Sequence, residues 1–327
     1  MRAMLLEAPG QRLRQAILAD LEPKDDEIVL RVTACAVCRT DLQICRGDIE
    51  PRKLPIVPGH QVVGEVVRVG GKVAGWSAGD RAGVAWLAAA CGVCESCRAG
   101  NENLCPDARF TGWDRDGGYG EMVTARADFA YALPAGFSDV AAAPLLCGGV
   151  IGYRALKIAG MAPGRRLGLF GFGASALLSL QVALHRGCEV FVCTRSEHDR
   201  SRAKAVGAAW VGGYDDIPPD TLDVAVTFAP AGAVVVAALR SLKRGGTVVV
   251  NAIHLDRIPE FPYDLLWWER NLRSVANFTR DDAREFLELA AAIPIETAVQ
   301  EFALDEANEA LDALEAGAIE GAAVLVA

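Results

Sequence analysis

The sequence predicts an α/β protein: a doubly wound parallel sheet joined to a second, β-rich region. Three observations predict it. Apolar strand-length runs alternate with helix-length segments from residue 166 to 250, the order that builds a parallel sheet with helices on both faces. A glycine turn, Gly171-x-Gly173-x-x-Ala176, links the first of those strands to the first helix. The 150 residues before them carry short apolar runs broken by glycine and proline, with weak helical periodicity.

In the first region the runs 28–32 and 62–69 read as strands, and Pro55, Pro58-Gly59, Gly70-Gly71 and Gly79-Asp80 mark breaks. In the second, 166–170 is a strand ending in glycines and 174–185 a helix. A strand at 189–193 and a helix at 197–206 follow, the helix capped by Glu197. Strands 222–226 and 247–250 enclose a helix at 231–242. The tail carries amphipathic helices at 281–292 and 305–316, the latter stopped by Gly317. The last apolar run, 322–326, is expected to return to the first region as a strand, because a six-stranded doubly wound sheet is complete before it.

A chain of 327 residues suits two domains at about 150 residues each. Hydrophobic residues at 52% against 23% charged exclude a disordered chain. A net charge of −9 leaves no electrostatic footprint for nucleic acid or an anionic membrane. No run of about 18 uninterrupted apolar residues indicates a membrane span, and the opening MRAMLLEAPGQRLRQ lacks the apolar core and cleavage signal of a secretory leader. Ten cysteines need an explanation. Disulfide frameworks belong to small secreted chains, so the cytoplasm is the expected location and clustered cysteines read as metal ligands or reactive groups.

Cys91, Cys94, Cys97 and Cys105 stand in CGVCESCRAGNENLC. Thiolates at this spacing converge on one ion, and four sulfurs close a tetrahedral zinc site with no open position, which makes the site structural. Four buried free thiols and an iron–sulfur cluster are the alternatives. Cys38, His60 and Cys147 lie apart in sequence. Two thiolates and one imidazole leave a fourth zinc position open, as catalytic sites do; singly, each could be an ordinary core residue. Thr40 could pass a proton toward solvent or bond to local backbone. Asp41 could orient His60 or cap a helix. Cys35, Cys45, Cys188 and Cys193 read as packing residues.

The glycine turn matches the dinucleotide fingerprint in its required strand–turn–helix setting. Gly171, Phe172, Gly173 and Ala174 are therefore cofactor candidates, with a pyrophosphate at the positive helix N-terminus. An NAD-binding strand end should offer a carboxylate to the ribose. Here the strand ends in Thr194-Arg195-Ser196, and an arginine there favours the extra phosphate of NADP. An exposed arginine in a loop that tolerates either cofactor is the alternative.

GHQVVGEVVRVG, GDRAGV, CGVCESCRAGNENLC, GGYGEM and the dinucleotide turn together resemble the zinc-dependent alcohol dehydrogenases of the medium-chain dehydrogenase/reductase superfamily, end to end. The strand end and NFTRDDAREF look most like the bacterial cinnamyl-alcohol-type branch. The resemblance implies a GroES-like β-barrel catalytic domain (1–148 and 279–327), a Rossmann coenzyme domain (149–278) and an active site between them. It implies catalytic zinc on Cys38, His60 and Cys147, a proton relay beginning at Thr40, and Arg39 on the cofactor pyrophosphate. Phe228, Asn251, Ala252 and Asn277 would line the nicotinamide, and Trp86 and Trp113 would wall the substrate pocket. The family's Gly-His-Glu reads Gly59-His60-Gln61, and Gln43 stands where many members have a relay histidine. The expected activity is reversible hydride transfer between a primary alcohol, aromatic or medium-chain, and NADP(H), with two zinc ions per chain in a homodimer or homotetramer. A polyol or sugar dehydrogenase on the same scaffold and a non-catalytic NADPH- or zinc-binding protein are the other readings.

Overall fold

The computed structural model describes every residue except 218 and 219, and the chain divides into two compact units. The first comprises Met1–Cys147, Asn277–Ala292 and Thr297–Ala327; the second comprises Gly148–Ala276 and Ile293–Glu296. Residues 277–278 thus fall in the first unit and 293–296 in the second, a different partition from one made at 278/279 alone.

The second unit is built on six parallel strands. From edge to edge they are Trp210–Gly212, Glu189–Cys193, Arg166–Phe170, Leu222–Thr227, Leu242–Val250 and Asn271–Ser274. Arg166–Phe170 and Leu222–Thr227 adjoin at the centre. The chain winds outward from the first of them, returns to the second and winds out the other way. Ligands of such sheets bind at that switch point, beyond the strand C-termini. Central strands buried on both faces read as continuous apolar runs, as the buried stretches 167–170 (LGLF) and 224–227 (VAVT) do. Helix Ala174–His185 matches the sequence reading, whereas the helix at 231–242 is shorter, Gly232–Arg240. Its last residues, Ser241 and Leu242, form the helix cap and the start of a strand that runs on through Lys243–Gly246 before the apolar segment.

The first unit is organised around the ten-residue strand Glu27–Ala36. It pairs antiparallel with Gln61–Val69, Met122–Arg126 and Ala322–Val326. The sheet continues through Arg81–Val84 and Ala130–Ala132 on one side and Val299–Ala303 on the other. The C-terminal strand therefore returns to the first region as expected, with Leu325 opposite Cys35. Gly317 ends the preceding helix, Ala307–Ala316, in the left-handed conformation that glycine adopts without strain.

The helical run Asp139–Ala159 is long and apolar enough to cross a membrane by length and composition, which the sequence reading did not anticipate. Of its apolar 18-residue window 61% is buried inside the protein, and the run is broken at Cys147, whose φ and ψ are −133° and −67°. Those features mark a core segment.

Candidate metal and coenzyme sites

Strand pairing brings the dispersed ligands together. Ala36 lies opposite Gln61 in the antiparallel pair, so Cys38, two residues past one strand, and His60, one residue before the other, share one end of the sheet. Cys147 follows the short 3-10 helix Ala143–Leu146, whose Leu145 and Leu146 are fully buried. The two thiols and the imidazole nitrogen lie within 4.8 Å of one another.

Helix Arg39–Arg46 starts immediately after Cys38, and its third residue, Asp41, is fully buried. Asp41 does both things its position allowed. Its Oδ2 accepts the Cys38 backbone N–H at 2.8 Å, and its Oδ1 lies 2.9 Å from His60 Nδ1. That contact leaves Nε2 as the nitrogen open to a metal, and Nε2 is buried without a hydrogen-bond partner. A buried polar atom without a partner is costly; a metal ion bound with the two sulfurs would satisfy it. Two thiolates would also balance the charge of a divalent ion.

The three groups are electrostatically linked. A hydrogen bond from the Cys147 thiol, with His60 nearby, holds the Cys38 thiol well below the ordinary range despite burial, and pushes Cys147 up in return. Burial opposes charge on His60, but Asp41 and Cys38 together outweigh it and raise the imidazole to about 10. The Thr40 hydroxyl lies 3.7 Å from the Cys38 sulfur. The Gln61 amide donates to the Ala36 carbonyl at 3.3 Å, which ties this departure from the family pattern to the sheet. Gln43 is buried.

Trp86 stands edge-on to His60, with ring centroids 4.8 Å apart. Trp113 stacks on Trp86 at 5.7 Å, and Phe110 on Trp86 at 5.1 Å. Trp86 is buried, while Trp113 is half-buried with Arg52 over its ring at 3.8 Å. Both tryptophans thus belong to one aromatic stack beside His60.

The second cluster lies in the loop around helix Glu95–Arg98. The sulfurs of Cys91, Cys94, Cys97 and Cys105 lie within 4.8 Å of one another. Cys91 and Cys97 are 3.9 Å apart, against about 3.8 Å for the edge of a tetrahedron with 2.3 Å zinc–sulfur bonds. Backbone N–H groups of Val93 and Cys94 lower the Cys91 thiol to about 6. All ten cysteines are free. Cys35, Cys45, Cys188 and Cys193 are buried in the core.

At the dinucleotide turn, Gly171 has φ +93°, and a Cβ there would lie 2.7 Å from the Ala229 nitrogen. Only glycine fits. A Cβ on Gly173 would meet no protein atom within 4 Å, so the backbone is open to a ligand at the N-terminus of helix Ala174–His185, where Phe172 and Ala174 flank it. Ser196, not Glu197, caps the helix Glu197–Val206: its Oγ accepts the Asp199 N–H at 3.2 Å. Ser and Asp are the better cap types, and Glu197 instead pairs with Arg200. Thr194 is buried, and Arg195 is exposed beside the Tyr214 hydroxyl.

Phe228 and Asn251 follow their strands directly, donating N–H bonds to Phe170 and Thr227, with Ala252 next. Asn277 belongs to the first unit, where its amide donates to the Asn103 carbonyl at 3.3 Å. Arg39 is exposed and reaches the Leu314 carbonyl at 3.5 Å. Tyr119 is a site residue that sequence reasoning missed. Its hydroxyl donates to Asp41 Oδ2 at 3.2 Å. The only signal was its place in GGYGEM, since its partner is 78 positions away.

An alcohol dehydrogenase GroES-like domain matches residues 24–135, and a zinc-binding dehydrogenase domain matches residues 176–292. The chain is 49% identical, over 93% of its length and 90% of the relative, to the "Probable alcohol dehydrogenase AdhA" of Mycobacterium tuberculosis (strain CDC 1551 / Oshkosh). A cinnamyl alcohol dehydrogenase of Sorghum bicolor, SbCAD4, superimposes with a TM-score of 0.93 at 27% identity, over 99% of this chain and 97% of that one. A zinc-binding dehydrogenase from Sinorhizobium meliloti 1021 bound to NADP superimposes at 0.88 with 26% identity, over 100% and 99%. The chain belongs to the zinc-dependent alcohol dehydrogenases of the medium-chain dehydrogenase/reductase superfamily. It is an oxidoreductase with a GroES-like domain, a Rossmann-type domain, a four-cysteine cluster and a catalytic-type Cys–His–Cys cluster.

Proposed function

We propose that the protein is a zinc-dependent alcohol dehydrogenase and aldehyde reductase that moves a hydride between a primary alcohol, aromatic or medium-chain, and NADP(H). The observation that carries this reading is the convergence of Cys38, His60 and Cys147, with His60 Nε2 buried and unpartnered. Those three residues would hold one zinc ion, and Cys91, Cys94, Cys97 and Cys105 a second, structural one. Bound zinc supplies Lewis acidity, and bound nicotinamide supplies the hydride acceptor.

The chain's own residues do the rest. Asp41 fixes the ring of His60. Trp86 shields the ligand cluster from water and, with Trp113, offers an apolar wall to the substrate. The Thr40 Oγ1 receives the alcohol proton. Gln43 cannot carry it onward, because an amide does not titrate near neutral pH, so the proton leaves to water or a cofactor ribose hydroxyl. Gly171 and Gly173 admit the pyrophosphate, and the family resemblance makes Arg39 its cationic partner. Phe228, Asn251, Ala252 and Asn277 would flank the nicotinamide.

The absence of a carboxylate at 194–196, the exposed guanidinium of Arg195 and the NADP in the Sinorhizobium meliloti relative support NADP(H) over NAD(H). A homo-oligomer, dimer or tetramer, is supported by the outer strand Asn271–Ser274, at the end of the strand order among the described residues, and by the exposed Trp267 and Trp268 that precede it in the chain.

A panel of alcohols and aldehydes assayed with both cofactors tests the reading. Primary alcohols with NADP+ should turn over fastest. Arg195→Ala should cut the preference for NADP+ by about 10-fold or more, the loss of a charged hydrogen bond; an unchanged preference removes the cofactor assignment.

A further inference from the structure

We propose that Tyr119 is a positioning residue for the metal ligand His60, acting through Asp41. The proposal rests on the reading that Cys38, His60 and Cys147 hold a metal ion.

Tyr119 is fully buried, and its phenol donates to Asp41 Oδ2 at 3.2 Å. The same oxygen takes the Cys38 N–H at 2.8 Å, while Oδ1 faces His60 Nδ1 at 2.9 Å. Asp41 therefore sits at the crossing of three contacts, two of which lead to ligand residues. A carboxylate without access to solvent needs its donors to stay in place. With the phenol gone, Oδ2 keeps one donor, and the carboxylate gains freedom to turn away from Nδ1.

A second set of bonds seats the phenol. The N–H groups of Gly117, Gly118 and Tyr119 donate to Val57, Gly59 and Pro58 at 2.7, 2.9 and 3.0 Å. The GGY segment is thus stitched to the three residues that lead into His60. The fit permits no side chain: a Cβ on Gly117 would lie 1.9 Å from the Gly59 oxygen, and one on Gly59, at φ +93°, 2.3 Å from the Tyr119 ring. One short segment holds the backbone before His60 and aims a hydroxyl at the carboxylate behind its ring. A tyrosine present only to fill the core would need the ring and not the hydroxyl, so Tyr119→Phe separates the two roles.

The test uses the zinc-loaded protein and a chromophoric chelator, with release from the four-cysteine cluster as the internal standard. Wild type, Tyr119→Phe, Asp41→Ala and the double variant are compared, along with the visible spectrum of cobalt-substituted protein. Tyr119→Phe should release the metal of the three-ligand site about 10-fold faster, the low end for residues behind a ligand, and shift the cobalt bands. Release from the four-cysteine cluster should not change. In the Asp41→Ala background the phenylalanine change should have no further effect. Release at the wild-type rate with a wild-type spectrum overturns the proposal, as do effects of the two substitutions that simply multiply. If wild type holds only the four-cysteine metal, the metal reading itself fails and takes the proposal with it. That outcome is visible before any variant is made.

Discussion

Asp41 shows how one residue can serve the helix and the chemistry together. As the third residue of helix Arg39–Arg46 it bonds the Cys38 N–H, which starts the helix and turns the Cys38 sulfur toward the cluster. Its other oxygen selects the His60 nitrogen that remains for a metal. Thr40, one residue earlier, lies beside the same sulfur. If it carries the alcohol proton, Thr40→Val should lower kcat by about 100-fold or more with zinc content unchanged, and Thr40→Ser should restore most of it. A valine variant with wild-type kcat would remove Thr40 from the relay. At this scale the four-cysteine cluster was legible, because its ligands lie within one short loop. The other set was legible as candidates from residue type, and as one set through family resemblance, since pairing of Ala36 with Gln61 brings together residues that spacing cannot relate. Tyr119 was not legible at all, because its role is a contact between distant segments.

At the scale of elements, the coenzyme unit was read well and its edges poorly. Arg166–Phe170 and Glu189–Cys193 are apolar runs between glycines, and they match. Trp210–Gly212 has three residues, and Asn271–Ser274 reads NLRS and is largely exposed. Edge strands carry no buried stripe to mark them. The glycine turn allows a paired test. Gly171→Ala should lower Tm and weaken cofactor binding together, because φ +93° and the Ala229 backbone oppose a side chain. Gly173→Asp should leave Tm within a few degrees and abolish NADPH binding in a fluorescence titration, because its Cβ meets no protein atom. Equal effects on Tm would refute the distinction.

Glu102 accepts the backbone N–H of Arg280 at 3.0 Å, where helix Arg280–Ala292 begins, and its guanidinium at 3.2 Å. Burial alone would raise this carboxyl, but the Arg280 bonds win and hold it below the usual range. A folded-state value below the unfolded one stabilises the protein above the ordinary glutamate range, and that contribution is lost as pH falls through the folded value. Tm should therefore drop on acidification by more in wild type than in Glu102→Gln. Parallel Tm–pH curves for the two would contradict it.

For the whole molecule, the two units divide the labour by their architecture. The parallel sheet of the second unit sets a glycine turn at its switch point, and the first unit holds both cysteine clusters, one at the end of its sheet and one in a loop. The overall class was legible because a period of alternating strands and helices survives in sequence. The return of Ala322–Val326 to the first sheet followed from the doubly wound pattern, which ends before it in sequence. The passage of 293–296 into the second unit did not, because a short loop that crosses between units has no pattern of its own. On the proposed reading, Cys38, His60 and Cys147 form a metal centre separate from the four-cysteine cluster and required for alcohol oxidation. The most direct measurement is zinc per chain alongside alcohol-dependent NADPH formation, in wild type and Cys38→Ala. Wild type should hold two zinc ions and turn over; Cys38→Ala should keep one, stay folded and be inactive. One zinc in both proteins, or wild-type turnover by Cys38→Ala, would contradict it.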